Sequence, residues 1–580
     1  MMQYLRYSLV FFFLVNVFAL QAQEPQVLPK GMTNAEKGLV SEYQFTSTRL
    51  TPPPSMPVRA AAEWEEIEYL MVSWNPGYPN ILRQIVAAGV EECKVIVITE
   101  NETNVSNYLT SNGVSLDNVI FMDEETNSIW IRDYGPNTIY QNDIGQRAIT
   151  DWIYNRPRPD DDVIPSAIAS YIGIPFYSTD SGTNDLVNTG GNYMSDGLGT
   201  GFASELVLEE NEAGNPYGVS AKTEAEVDAI MNAYMGLDRY IKMETLPFDG
   251  IHHIDMHMKL LDEETLLVSE YPEGVADGPQ IEENIQYVLD NFQSAFGKPY
   301  QIEWIPAPPS TSGNYPDNGG WYRTYTNMTF VNGTVLLPIY RPEVDGPAIA
   351  QLQELLPGYN IVGIDVDESE EPLIGSLGAI HCITHTVGVA DPLWIVHDDI
   401  EEGNSGSTIP VEAMIRHNSG VSQASLFWRE TGATEYNEVA MSASGDDMWT
   451  ADFTLPSEEI NVEYYIWAEA NSGKSLTRPI VAPDGYWTIN VASLATSDWA
   501  AQNVVGPYPN PATDVVRFEL GNIEGPLEVT LHSILGQELF TEKVEANGTL
   551  TLTLNPAWQG TLFVTFKGNF GSLTKKLLVK

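Results

Sequence analysis

Cys382 stands in the run Gly378-Ala379-Ile380-His381-Cys382-Ile383-Thr384-His385. A thiolate is a strong nucleophile, and a nearby imidazole is one of the groups that generates it from a thiol. His381 and His385 flank the cysteine, so the segment reads either as a nucleophile or, since free cysteine is among the most buried residue types, as a small core residue. The chain has only 2 cysteines, Cys93 and Cys382, which cannot make a disulfide framework. Cys93 precedes the strand-like run Lys94–Thr99 without a histidine beside it and is expected to be structural.

Four other stretches carry chemistry. In Trp130-Ile131-Arg132-Asp133-Tyr134-Gly135-Pro136, an Asp beside aromatic rings can hold a flat cation, carboxylate on the edge and ring on the face. The competing reading is a structural contact between Arg132 and Asp133. In Ile251-His252-His253-Ile254-Asp255-Met256-His257, an extended backbone would put His253, Asp255 and His257 on one face. Those three suit a metal, an acid/base histidine beside a substrate-binding carboxylate, or a half-buried strand with satisfied polar groups. In Asn155-Arg156-Pro157-Arg158-Pro159, each proline biases the preceding arginine towards extended backbone. Arg156 and Arg158 can then clamp a carboxylate, or pair with Asp160, Asp161 and Asp162. Asn327, in Tyr325–Phe330, enters a strand.

The elements that must position these residues alternate between strand and helix from Ala60 to Val396, with a helix expected over Ile281–Phe296, which predicts an α/β region. Six of the 8 histidines lie between His252 and His397, which places the chemistry there. From Val411 to Val491 short alternating strands without helices predict an immunoglobulin-like sandwich, and a second all-β unit opens near Pro507. Met1–Ala22 reads as a signal peptide, and no later segment is long and apolar enough to span a membrane as a helix. The expected division is 1–22 signal peptide, 23–59 pro-segment or linker, 60–397 catalytic, 408–492 immunoglobulin-like and 503–580 C-terminal. With 79 acidic against 28 basic residues the net charge is −51, which argues against nucleic acid and suits a cationic substrate.

Taken together, the Trp130–Pro136, His253–Asp255 and Ile380–Thr384 stretches resemble the agmatine deiminase and peptidylarginine deiminase family of guanidine-modifying enzymes, over about Ala60 to Val396. Asn155–Pro159 with the acidic residues after it, Thr189–Met194 and the immunoglobulin-like module resemble the secreted bacterial peptidylarginine deiminases more closely. The resemblance implies a five-bladed pseudo-symmetric α/β-propeller (pentein) that needs neither cofactor nor metal. It implies Cys382 as nucleophile, His253 as acid and base, Asp133 and Asp255 on the guanidinium, and Trp130, Asn327 and Ile251 in the pocket. Arg156 and Arg158 would hold the free carboxylate of a C-terminal arginine, so the implied substrates are arginine-containing peptides or proteins and the product is citrulline. Residues from Tyr508 resemble the C-terminal sorting domain of type IX secretion cargo, which implies that machinery as a partner and a secreted or cell-surface location. The alternatives are deimination of agmatine to N-carbamoylputrescine, a metal-dependent hydrolase using His253, Asp255 and His257, and a non-catalytic surface adhesin.

Overall fold

The structure is a computed structural model, and it describes residues 28–46, 51–180, 182–492, 504–534, 536–568 and 571–580. The signal-peptide stretch Met1–Ala22 lies outside them. The chain divides into two compact units, one of residues 1–352 and 360–390, the other of 353–359 and 391–580.

The first unit repeats one pattern five times. Each of these five sheets contains an antiparallel pair followed by a parallel pair, and a helix crosses over between the parallel strands, as parallel pairing requires; Ile153–Tyr154 and Val187–Asn188 form a further lone parallel pair. Three sheets have only these three strands: Met194–Ser195, Thr200–Ser204 and Arg239–Met243; Met258–Leu260, Thr265–Glu270 and Gln301–Pro306; Thr329–Val331, Thr334–Ile339 and Asn360–Asp365. The other two have a fourth strand: Val58–Ala60, Asn137–Gln141, Arg147–Asp151 and Phe176–Ser178; His385–Gly388, Ile67–Ser73, Lys94–Ile98 and Val119–Met122. The crossover helices follow from their sequences. Pro79–Gly89 starts on proline and buries Ile81, Leu82, Ile85, Val86 and Gly89 on one stripe. Glu224–Met235 opens with a Thr223–Glu226 capping box and stops at Gly236, whose φ of 72° suits a residue without a side chain. The helix expected over Ile281–Phe296 runs Gly278–Asn291, because Pro279 favours a start in the first turn.

In the second unit, Trp394–Val396, Thr408–Arg416, Met448–Thr454 and Ser442–Gly445 form one sheet, and Val421–Glu430, Val462–Ala470, Trp487–Ala492 and their neighbours another. Both contribute to one apolar core containing Ile395, Val411, Leu426, Phe453, Tyr464 and Ile489. Trp394–Val396 pairs with Thr408–Arg416, so the second unit begins before the boundary expected at 397. His397 goes with it: its Nε2 hydrogen-bonds the Tyr464 hydroxyl at 2.9 Å, away from the α/β chemistry in which the sequence placed it. Residues 504–534, 536–568 and 571–580 form a further sheet around Val516, Phe518, Val529, Leu531, Val564 and Leu577. Among the described residues, no helix is long and apolar enough to cross a membrane.

Candidate active site

The repeat determines where the functional side chains enter. In each of the five repeated sheets a short turn precedes the strand that opens the antiparallel hairpin or its equivalent. These turns are Ile131–Tyr134, Gly190–Asn192, Ile254–Met256, the bend at 325–327 and His381–Ile383. They carry Asp133, Gly191, Asp255, Asn327 and Cys382, residues far apart in sequence that occupy the same place in successive repeats.

Cys382 is free and fully buried. Its Sγ receives hydrogen bonds from Lys30 Nζ at 2.9 Å and Asn327 Nδ2 at 3.2 Å, and lies 3.5 Å from Asp255 Oδ2. Burial and the Asp255 carboxylate push the thiol up to about 12, against the pull of the Lys30 ammonium. The flanking histidines do not activate it, contrary to the sequence reading. His381 directs Nδ1 to Asp255 Oδ2 and Nε2 to Glu63 Oε1, both at 2.8 Å, and His385 Nδ1 receives a hydrogen bond from the Thr386 N–H. In a tight turn the neighbours of a residue point away from it. Cys93 is also free, and burial pushes it up to about 12.

Asp255 and Asp133 are both buried in this cluster. Asp255 Oδ1 is 3.5 Å from Lys30 Nζ, and both oxygens of Asp133 lack a hydrogen-bond partner, as does Asp255 Oδ1. Burial, the largest single influence, raises both carboxyls, but the Lys30 charge together with His381 and His253 at Asp255, and with His253 at Asp133, outweighs it, so both are held below their ordinary range. His253 lies on the other side, Nδ1 3.4 Å from Asp133 Oδ1 and Nε2 hydrogen-bonded to Thr189 Oγ1 at 2.9 Å. Burial and the Lys30 charge lower its pKa, which keeps the ring neutral near neutral pH.

The Ile251–His257 stretch is not the strand the alternation suggested. His252 takes a φ of 61° and Ile254–Met256 form a tight turn, which breaks the two-residue period. His253 and Asp255 therefore reach the cluster, whereas His257 turns to Asp249, Nε2 to Oδ2 at 3.2 Å. The three do not assemble as metal ligands. Trp130 is buried, its Nε1 donates to the Leu28 carbonyl at 2.8 Å, and its ring lies so close to Gly378 that a Cβ there would sit 2.4 Å from Cζ3. Asn327 Nδ2 also donates to the Asp255 carbonyl at 3.2 Å, tying two turns together. Ile251 is buried with its Cδ1 3.0 Å from where a Cβ on Gly31 would stand.

Arg156 and Arg158 are both buried and face the same partner, the segment 28–36. Arg156 Nε donates to the Lys30 carbonyl at 3.2 Å. Arg158 donates from Nε to Glu36 Oε1 at 2.7 Å and from Nη2 to the Pro29 carbonyl at 2.8 Å. The sequence predicts a pro-segment or linker over 23–59; in the described residues 28–46 it is packed structure. Asn34–Leu39 is helical behind a Thr33–Glu36 capping box, and Val40 and Phe45 join a small core with Ile153, Val187 and Tyr217. Sequence reasoning missed Lys30, and also Gly191, Gly378 and Glu63. Lys30 had one visible signal: a cation in a polar segment of a chain with few of them. The glycines have no such signal, because what fixes them is proximity to side chains from other turns.

Comparison with known proteins bears on the whole. A protein named as an agmatine deiminase from Vibrio parahaemolyticus is 28% identical over 291 residues, covering 45% of this chain and 76% of its own length. One from Shewanella baltica is 26% identical over 301 residues, covering 46% and 76%. A solved structure named as an agmatine deiminase aligns with a TM-score of 0.51 at 20% identity, covering 60% of this chain and 100% of its own, which shows a shared fold. Residues 507–580 match the secretion system C-terminal sorting domain, which marks the chain for secretion. Residues 56–387, more than half the chain, match the family described as Porphyromonas-type peptidyl-arginine deiminase, and the chain belongs to that family.

Proposed function

We propose that the chain hydrolyses the guanidinium of peptidyl arginine to the ureido group of citrulline, releasing ammonia, and that it favours arginine at a C-terminus. The observation that carries this is the pair of buried carboxylates beside a thiol. Asp133 with two unsatisfied oxygens and Asp255 with one make a set of acceptors that the Lys30 ammonium, with one of its three donors on Cys382, leaves unfilled and that a guanidinium with its five N–H donors can fill.

In the reaction Asp133 and Asp255 orient the guanidinium and leave its carbon open towards Cys382 Sγ. The arriving cation offsets the burial that holds the thiol protonated, and neutral His253 takes the proton as sulfur attacks. His253 returns that proton to the departing ammonia, then activates water against the Cys382 thiouronium. Asn327 holds the sulfur in place, Trp130 lies along the aliphatic stem, and Ile251 closes the pocket. Arg156 and Arg158 take the free α-carboxylate.

Within the same reading the five sheets are blades of an α/β-propeller of the pentein kind. The two-sheet unit over 408–492 is immunoglobulin-like, and the C-terminal unit hands the chain to the type IX machinery for attachment at the cell surface after removal of a signal peptide. The second reading, deimination of agmatine, is favoured by the names of the relatives above; agmatine lacks the carboxylate that two buried arginines would otherwise receive.

The test measures ureido product from a short peptide ending in arginine, the same peptide amidated, and agmatine, using the full chain with Lys30→Ala so that no ammonium stands at the sulfur. Turnover of the free-carboxylate peptide well above the other two is expected, with none in the Lys30→Ala, Cys382→Ala chain. Preference for agmatine would remove the arginine clamp from the proposal and keep the thiol chemistry. Activity that survives loss of the thiol would sink that chemistry.

A further inference from the structure

We propose that residues 28–46 are a ligand of this chain's own active site, bound there as a substrate analogue that the enzyme cannot consume. The inference rests on the deiminase reading and adds to it that the chain is made with its cleft occupied.

Three contacts place the segment as a substrate would lie. Lys30 Nζ stands 2.9 Å from Cys382 Sγ and 3.5 Å from Asp255 Oδ1, with Lys30 itself fully buried, so its ammonium holds the position proposed for the guanidinium. The carbonyl of that same residue accepts from Arg156 Nε at 3.2 Å. In a C-terminal arginine the corresponding oxygen belongs to the α-carboxylate. The missing negative charge comes from elsewhere in the segment: Glu36 Oε1 accepts from Arg158 Nε at 2.7 Å, and Glu36 is fixed there by the capping box with Thr33. Lys30 and Glu36 together thus supply the cation and the anion of one C-terminal arginine. Trp130 and Ile251 pack against the same stretch, at Leu28 and Gly31. Val40 and Phe45 anchor its far end in an apolar core, which makes the occupant a folded part of the unit.

Lysine has the charge but not the electrophile. Its ε-carbon is saturated and offers sulfur no carbon to add to, so the occupant is inert. An arginine in its place would not be. In Lys30→Arg, Cys382 Sγ bonds to the guanidinium carbon, and one C–N bond breaks as ammonia leaves with a proton from His253. Water then adds and the C–S bond breaks. The net change exchanges one NH for O, consumes one water, releases ammonium and involves no oxidant or reductant.

The experiment compares the full chain as wild type, Lys30→Ala, Lys30→Met and Lys30→Arg, with Cys382→Ala in each background. Methionine keeps the volume of the side chain should alanine fail to fold. On a peptide ending in arginine, kcat/KM is expected to rise roughly tenfold or more when Lys30 is replaced by Ala or Met, since the segment then loses its contacts to Cys382 and Asp255 and is displaced more readily. In Lys30→Arg, mass spectrometry is expected to find citrulline at residue 30, formed at a rate independent of enzyme concentration and absent without the thiol. Equal kcat/KM in wild type and the Ala or Met variant would overturn the proposal. So would a guanidinium left unconverted at residue 30 of the Lys30→Arg chain while that chain converts the external peptide. If no variant converts anything, the deiminase reading fails and occupancy is read separately. Alkylation of Cys382 by 2-chloroacetamidine that is faster without Lys30 supports the internal ligand; an equal rate overturns it.

Discussion

Gly191 stands where three side chains of the site meet. A Cβ on it would stand 2.5 Å from His253 Nδ1, 2.9 Å from Asp133 Oδ1 and 3.2 Å from Asp255 Oδ2. Three groups with assigned roles in the proposed chemistry thus converge on one glycine, and none can retreat far because all are buried. A methyl there forces His253 or Asp133 off its present line, and displacement of about 1 Å at a reacting centre costs on the order of 10²-fold in rate. Gly191→Ala is therefore expected to lower kcat/KM on an arginine-ended peptide by roughly that factor, while the overpacking costs about 1–3 kcal/mol of stability. Kinetics and thermal unfolding of the same sample check both. A variant within twofold of its parent would mean that these side chains do not need their present spacing.

At the scale of elements, Asp161 joins two segments that feed the site. Its Oδ1 accepts from the Asn127 and Ser128 amides at 2.8 and 2.9 Å, and its Oδ2 from Ser128 Oγ at 2.6 Å. The turn carrying Asp133 follows Ser128, and the segment carrying Arg158 runs directly into Asp161. Burial pushes this carboxyl from 3.8 up to about 7, against the pull of Ser128, Arg158 and the two amides. A carboxyl raised in the folded state favours folding fully below its unfolded value, and that contribution is lost as pH rises through the folded one. Between about pH 4 and 7 the first unit should lose stability, by roughly 1–4 kcal/mol from this group. Asp161→Asn keeps an acceptor for the amides and should flatten that slope in a Tm-against-pH series. Asp162, also raised to about 7, leaves part of the slope in place. An unchanged slope would show that Asp161 titrates normally.

The same elements show what could be read in the sequence. Strand and helix alternation was legible because Lys94–Ile98 is a short continuous apolar run and Ile281–Phe296 carries apolar residues at helical spacing. The residues of the cluster were legible as types: Cys382, His253, Asp133 and Asp255 all stand within it. Their geometry was not. The period-two reading of Ile251–His257 failed at a positive φ on His252 and a tight turn, conformations that tertiary packing imposes and local pattern does not encode. Nor could composition show that a polar stretch of the N-terminal region fills the cleft, since Lys30 is held by residues from distant turns.

Over the whole molecule, the excess of 79 acidic over 28 basic residues attracts cations of any kind and raises their encounter rate without selecting among them. Selection falls to one buried cluster in the first of two units, so a ligand of that cluster stabilises that unit alone. A ligand that binds only the folded form adds RT ln(1 + [L]/Kd), about 2.7 kcal/mol at a hundredfold excess over Kd. Calorimetry on the full chain with Cys382→Ala, which prevents turnover, should resolve separate transitions. A peptide ending in arginine should raise the one belonging to residues 1–352 and 360–390 and leave the other fixed. Adding Lys30→Ala should enlarge the shift, because the peptide no longer competes with an ammonium already seated between the carboxylates. The starting transition should fall at the same time, since two buried carboxylates then lack their cation until the peptide brings one. A shift of equal size with and without Lys30 would place the peptide somewhere other than this cleft, and a shift in both transitions would mean the units unfold as one.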